Sequence, residues 1–299
     1  MFTFKRLDET LTKSLTLPLN DGSRYVIMSD MHRADHSVSD EFAPNKNIFL
    51  HAINHYYKNN FHVIENGDGD ELWEHRHFRH IYFAHQDVFN VYQDLYHDDR
   101  LTIIYGNHNM QLRNPQKVKD ILWKVRDPYT DKDKDFLYGI KTYEGVRLHY
   151  KEMGKDLFIT HGHQGDLLSD HLWPLAQFLS RFVWRYFHLV GFRNPSSPAK
   201  SHSKRNHIEK NYKKWITENK QLLIVGHTHR AKFSLPEDNL PYFNTGSCVR
   251  PAVINAIEIV GGCISLVDWK TWPNDKGLLQ IKRRVLEGPV ALSRYFKVS

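Results

Sequence analysis

Tyr25-Val26-Ile27-Met28-Ser29-Asp30-Met31-His32 is a short, apolar, partly β-branched run that stops on an acid and an imidazole. Such a run reads as a buried strand, and the event recurs four times downstream. His62-Val63-Ile64 leads to Gly67-Asp68, and Leu101-Thr102-Ile103-Ile104-Tyr105 leads to Gly106-Asn107-His108. Leu157-Phe158-Ile159-Thr160 leads to His161-Gly162-His163, and Leu222-Leu223-Ile224-Val225 leads to Gly226-His227-Thr228-His229. A chain that repeatedly ends buried strands in His, Asp or Asn collects ligands at one edge of a sheet, where open α/β folds place their sites. The glycines let the backbone turn sharply and come close to a bound ion. One His at a strand end is commonly a hydrogen-bonded structural residue; five such ends in succession are not explained that way.

The residue types point to one chemistry. Mixed imidazole and carboxylate ligands suit Mn, Fe, Zn or Co better than Ca or Mg. Two such ions roughly 3.5–4 Å apart share a hydroxide, lower its pKa and clamp the attacking and leaving oxygens of an in-line displacement. A carboxylate is the natural bridge, because each of its oxygens can take one metal. Asp68 and Asp70 compete for that place within Asn66-Gly67-Asp68-Gly69-Asp70, and position at the strand end favours Asp68.

In order and spelling the five motifs resemble the calcineurin-like metallophosphoesterase superfamily: D-x-H, G-D, G-N-H, a lone His after a strand, then G-H-x-H. The resemblance spans Asp30 to His229, and its Asn-Gly-Asp spelling again favours Asp68 as the bridge. It implies an α/β fold, a four-layer α/β/β/α sandwich with two divalent metal ions at the sheets' carboxyl edge. One ion is then held by Asp30, His32 and His229, the other by Asn107, His161 and His227, with Asp68 bridging both. Mn or Fe is the first choice, with Zn and Co also fitting. His108, beside Asn107 but not a ligand, is placed over the substrate phosphate, where it donates a proton or offsets charge on the leaving oxygen. The implied activity is phosphoester hydrolysis by in-line attack of a metal-bridging hydroxide on phosphorus. There is one departure: Asn109 stands where the family usually has Asp. A neutral amide still orients an imidazole but stabilises imidazolium less, which bears on the protonation of His108 and not on the ligand set.

At 299 residues, 40% hydrophobic and 25% charged, the chain suits one large α/β domain. We assign it to residues 20–299, with a helical cap inserted at 170–220. Cys248 and Cys263 are the two cysteines, so no disulfide framework is expected. Met1–Asp8 lacks the uninterrupted apolar core of a signal peptide, which gives the expectation of a cytoplasmic protein. The net charge of +7 is spread along the chain except for one cluster at Lys200, Lys204, Arg205, Lys210, Lys213 and Lys214. It favours anionic substrates or surfaces in general.

Apolar positions at helical spacing predict helices over 45–58 and 76–97, the second opening with His75, His77, His80 and His85 as cap or surface residues. Residues 127–156 read as loops with a hairpin through Val146–Tyr150, and the apolar stretches from Tyr242 to Val285 as closing strands. The insert from Leu172 to Phe192 has a polar stripe (Gln177, Ser180, Arg181, Arg185, His188) and a broad aromatic face that includes Trp173, Phe178, Phe182, Trp184 and Phe187. Mid-segment arginines and Pro174 keep it from spanning a bilayer. It reads as a cap packed on the domain, or as an interfacial helix over residues 171–192 contacting an acyl chain or the inner membrane face, or as a dimerisation surface. A Pro/Ser hinge from Asn194 to Asn206, with Pro195, Ser196, Ser197 and Pro198 near its start, leads to a basic helix, Ile208–Lys220.

This insert, with Glu71 and Trp73 following Asp68, resembles the bacterial branch typified by UDP-2,3-diacylglucosamine pyrophosphohydrolase. That branch often carries Arg where this chain has His108, so the resemblance supports the branch and not that reaction. The substrate class it implies is a phosphorylated small molecule or lipid-like phosphoester or pyrophosphate. Alternatives are a cyclic-nucleotide phosphodiesterase, a nuclease or a phosphoprotein phosphatase. The aromatic cap, with no stacking platform interleaved with basic residues, argues against long nucleic acid. A complete ligand set argues against a scaffold that only binds partners.

Overall fold

All five apolar runs form strands that are buried along nearly their whole length. The computed structural model describes residues 2–179, 181–182 and 201–296. In chain order the elements are α1 (Phe2–Lys13), β1 (Leu15–Leu19), β2 (Arg24–Met28), α2 (Lys46–Lys58), β3 (His62–Asn66), α3 (Phe78–Ala84), α4 (Gln86–His97), β4 (Leu101–Ile104), α5 (Pro115–Val118), β5 (Lys124–Arg126), β6 (Asp133–Asp135), β7 (Thr142–Tyr143), β8 (Gly145–Tyr150) and β9 (Lys155–Thr160). There follow α6 (Trp173–Leu179), α7 (His202–Asn219), β10 (Leu222–Val225), β11 (Lys232–Phe233), β12 (Tyr242–Asn244), β13 (Val253–Val260), β14 (Cys263–Pro273), β15 (Leu279–Ala291) and α8 (Ser293–Phe296).

The strands make two large mixed sheets, ordered β1-β8-β9-β10-β12-β11 and β15-β14-β13-β2-β3-β4-β7. β2, β3 and β4 are parallel neighbours, as are β9 and β10, so the first three motifs leave one sheet and the last two leave the other. Side chains alternate as a pleated strand requires. Tyr25 and Ile27 join an apolar cluster with Val146, Ile159 and Ile224 from the other sheet. Val26 and Met28 pack instead with Phe49 of α2 and Phe89 of α4. On the far side of the six-stranded sheet, Phe158 and Leu223 pack with Leu7 of α1 and Trp215 of α7. Apolar groups on both faces are what a strand covered on both sides needs, which is why these runs show no polar alternation.

Several expectations change. The helix expected over 76–97 is two helices, broken at His85, whose backbone leaves the helical region (φ −125°, ψ 31°). His85 is fully buried with Nε2 2.8 Å from Asp40 Oδ2, so a contact with a distant loop overrides the periodicity. His75 is likewise buried, 3.2 Å from Asp35, whereas His77 and His80 are exposed as expected. Residues before 20 enter the six-stranded sheet: β1 pairs with β8, and Arg6 of α1 bonds Asp170 at 2.8 Å. The basic helix starts at His202 rather than Ile208, where the Ser201 hydroxyl accepts from the Lys204 N–H. Of the insert, α6 and residues 181–182 are described. Ser180, Trp184, Arg185, Phe187, His188 and residues 194–200 of the expected hinge lie outside the described residues, and from His202 on the expected hinge is helix. Among the described residues no helix is long and apolar enough to cross a membrane.

Candidate metal centre

The motif residues leave their strands in an uncommon conformation. Asp30 (φ 54°), His32 (49°), Asp68 (52°), His227 (63°) and His229 (53°) are all left-handed. Non-glycine residues there cost of order 1–3 kcal/mol each and persist only where the surroundings over-determine them. What holds them is a ladder between loops. Asp30 N–H donates to the Gly67 carbonyl at 3.1 Å, His32 N–H to Asp68 at 2.9 Å, and Gly226 N–H to His161 at 2.8 Å. Glycine is needed where these loops touch. A Cβ at Gly106 would stand 2.2 Å from Asp68 Oδ1, and one at Gly67 (φ 84°) would stand 2.4 Å from the His161 ring.

The turns bring the expected residues into two adjoining sets. The ligand atoms of Asp30, His32 and His229 lie within 4.8 Å of one another, and so do those of Asp68, His161 and His227. Asp30 Oδ1 is 3.1 Å from His229 Nε2. Asp68 Oδ2 is 3.1 Å from His161 Nε2 and 3.9 Å from His32 Nε2, so one carboxylate oxygen faces both sets. His32 Nε2 and His229 Nε2 approach to 3.3 Å, which calls for a proton or a cation between them. Among the described residues, Asn107 Oδ1 and His227 Nε2 are buried without a hydrogen-bond partner, and Asp30 Oδ1 and His161 Nε2 have only the ion-pair contacts just given. Each such orphan costs roughly 1–3 kcal/mol, and coordination would relieve it. His161 donates Nδ1–H to the Asn66 carbonyl at 2.9 Å, which leaves Nε2 free to take an ion, as metal-binding histidines commonly do when a backbone carbonyl holds the other ring nitrogen. The residues present therefore fit a mixed N/O pair of divalent ions.

Burial opposes charge on every one of these groups, and their mutual attraction outweighs it at some of them and not at others. At Asp30 the burial penalty is outweighed by His229, and the carboxyl is held at about 2. At Asp68 it is outweighed by His161 and His108, leaving the carboxyl well below its ordinary range. Burial of His161 is overcome by Asp68, which lifts its imidazole to about 9. Burial wins at His227, which is lowered, and at His163, which falls to about 3. Ions bound here would displace protons from the imidazoles, so uptake releases protons and weakens as pH falls.

The choice between the two acids of Asn66–Asp70 rests on Arg33. Asp70 Oδ1 bonds Arg33 Nε at 2.8 Å, and Arg33, buried, also bonds Glu65 and the Tyr92 hydroxyl. Asp70 is thus part of a buried ion pair, while Asp68 faces the histidines. Asp70→Asn is expected to lower stability by roughly 3 kcal/mol, the low end for breaking a buried pair because Glu65 still faces Arg33. Thermal melting should show a fall of about 5 °C or more, with metal content unchanged in the folded protein.

His108 is a quarter exposed, with Nδ1 2.6 Å from Glu71 Oε2 and its ring stacked on Trp73 at 4.4 Å and 24°. Asn109 does not orient it. The Asn109 side-chain oxygen accepts from the Gly106 N–H at 2.6 Å, and its Nδ2 has no partner among the described residues. Burial works against imidazolium at His108, but Glu71 and Asp68 raise it to about 10. The concern raised by a neutral residue at 109 is met by an acid from another motif.

Three residues near the centre had no chemical role in the sequence reading. Glu71 served only as a branch marker. His163, the second His of His161-Gly162-His163, is buried with both ring nitrogens unpartnered among the described residues, 5.6 Å from the His161 ring between centroids. Asp166 places Oδ2 3.8 Å from His227 Nε2. The signal for the last two was their position in the loop after β9, two and five residues beyond His161. Two further groups could also hold an ion by proximity, His32 with Glu71 and His108, and His36 with Asp40 and His85. All four acceptor positions of Asp40 are already taken, by N–H of His36, Phe42 and Ala43 and by His85 Nε2. It is a buried loop clasp.

No protein-family model matches the chain, and no curated protein does. Among solved structures it is similar to Chaetomium thermophilum Vps29, at 8% identity with a TM-score of 0.35, over 89% of this chain and 96% of that one. The same values hold for Chaetomium thermophilum Vps29 complexed with the RaPID-derived cyclic peptide RT-D3. At that TM-score the likeness carries no argument.

Proposed function

We propose that the protein is a dinuclear-metal phosphoester hydrolase. One observation carries this reading: two three-residue ligand sets abut, and Asp68 faces both. Asp30, His32 and His229 would hold one ion, Asn107, His161 and His227 the other, with Asp68 between them. When bound, the ions supply a water of lowered pKa and positive charge at the phosphoryl oxygens. His108 turns Nε2 away from Glu71 and keeps a proton for the leaving oxygen. Trp73 holds the plane of that ring. The four-layer α/β/β/α reading is supported by the three apolar clusters, one shared by both sheets and one on each outer face.

The cap suggests the substrate class. Leu172, Leu175, Phe178 and Phe182 are exposed, and the two Phe rings lie 4.9 Å apart. Arg181 donates to the carbonyls of Leu72 and Trp73, each at 3.0 Å, which ties this apolar face to the residue stacked on His108. A cavity of about 420 Å³, lined by Gln164, Asp166, Lys204 and His207 among others, borders the centre through Asp166. This combination suits a bulky or amphiphilic phosphoester, and the same face is the one that would meet a membrane surface. Phe182→Gln removes roughly 1.5 kcal/mol of apolar contact, so KM for amphiphilic phosphoesters should rise about 10-fold while small aryl phosphates are unaffected. A lower melting temperature with equal loss on both substrates would show a purely structural cap.

The hydrolase reading is tested by stripping the protein with a chelator and reloading it with Mn²⁺, Fe²⁺, Zn²⁺ or Co²⁺. Aryl phosphates, nucleotide sugars, cyclic nucleotides and phosphoproteins are then assayed. The expected result is two ions per chain and hydrolysis that returns with metal. Protein that binds two ions and cleaves none of these classes with any metal is not this hydrolase.

A further inference from the structure

α1 lies ahead of all five motifs, yet it grips the loop that follows His161. Arg6, largely buried, takes Asp170 at two points, Nε to Oδ2 at 2.8 Å and Nη2 to Oδ1 at 3.2 Å, and also bonds Glu144 and Glu9. Asp170 Oδ2 in turn accepts the Gly165 N–H at 3.0 Å, and the Asp170 N–H donates to the Asp166 carbonyl at 2.8 Å. The contact with α1 is close enough to need glycine at 165, where φ is 90° and a Cβ would stand 2.5 Å from Thr3 Cα. The Ser169 hydroxyl donates to Asp166 Oδ2 at 2.8 Å, and that oxygen faces His227 Nε2 at 3.8 Å. Each bond in this chain fixes the next, so the guanidinium sets where the Asp166 carboxylate stands.

We infer that Arg6 is a positioning residue for the metal centre: through Asp170 it holds Asp166 beside the set formed by Asp68, His161 and His227. This rests on the dinuclear reading above, in which His227 gives Nε2 to an ion. A carboxylate facing that nitrogen lies on the ion's side of the ring, where its charge favours the cation. Asp166 belongs to neither ligand set, so it acts from just outside them. The charge balance gives it something to do there. Asp30 and Asp68 are the two carboxylates among the assigned ligands, and Asp68 is shared, so the ion held by Asn107, His161 and His227 is the less neutralised of the pair. Asp166 stands on that ion's side.

The test titrates Mn²⁺ by calorimetry into metal-free wild type, Arg6→Ala, Asp166→Asn and the double variant Arg6→Ala/Asp166→Asn. Each single variant should weaken the same one of two binding steps by roughly 10- to 100-fold, the usual loss for a partner just outside the ligands, and leave the other step unchanged. The double variant should bind no more weakly than Asp166→Asn, because nothing remains for Arg6 to place. Thermal melting is read alongside. If α1 is only structural, Arg6→Ala lowers the melting temperature with both Mn²⁺ affinities unchanged, and that result would overturn the inference. So would additive losses, equal weakening of both steps, or a wild type that takes up fewer than two ions. Where Arg6→Ala fails to fold by circular dichroism, Arg6→Lys carries the same comparison, since it keeps a cation among the three carboxylates but not the two-point grip. Two ions bound with no phosphoester cleaved would remove the hydrolase reading alone, because the titration decides Arg6 without turnover.

Discussion

Asp68→Asn is expected to reduce bound metal and to lower kcat by about 10³-fold or more, corresponding to the loss of roughly 4 kcal/mol of transition-state stabilisation. The substitution keeps shape and removes one charge, and neither orientation of the amide repairs the site. Asp68 Oδ1 accepts the His108 N–H at 2.8 Å, and Oδ2 faces His161 and His32. With the amide nitrogen in the Oδ2 position, a donor replaces the oxygen that faces both ligand sets. With the amide flipped, two N–H groups confront each other at His108. Elemental analysis of purified protein and turnover of an aryl phosphate read the two effects together. Two retained ions with near-normal turnover would remove Asp68 from the bridging position.

His108→Ala should do something different. Its Nδ1 faces Glu71, and it belongs to neither set assigned to the ions, so both ions should remain. Turnover should fall by roughly 10²–10⁴, the usual contribution of a general acid or base. The loss should shrink for aryl phosphates whose phenol has a low pKa, since such leaving groups need no proton. Equal losses across leaving groups would instead show that His108 positions the phosphate. Loss of an ion on mutation would contradict the assignment outright.

How far the site could be read from sequence differs between its parts. The strand ends were legible because each is a local event: a few apolar residues long enough for a buried strand, then a glycine, acid or imidazole that ends it. Tyr25–Met28 and Leu222–Val225 show this, and the histidines and acids after them arrive together because parallel neighbours β2, β3 and β4, and likewise β9 and β10, end at the same edge. The helix over 45–58 was equally local and appears as Lys46–Lys58. Periodicity failed at His85, where a side chain bonded to Asp40, 45 positions away, breaks what the apolar pattern alone would have continued.

Partner choices among the polar groups were not local at all. Nothing near Asp70 in the chain shows that it pairs with Arg33, 37 positions earlier. Nor does the neighbourhood of Asn109 show that His108 takes its acid from Glu71. A carboxylate is placed by its own strand, but what it bonds depends on which other loop ends beside it, and that follows from the order of strands in the sheet. The ligand inventory is therefore written in short stretches of the chain. Which acid faces both ligand sets, which is neutralised by a buried arginine and which lies against two imidazoles follow only from the folded neighbours, because Coulomb and hydrogen-bond terms depend on distance in space.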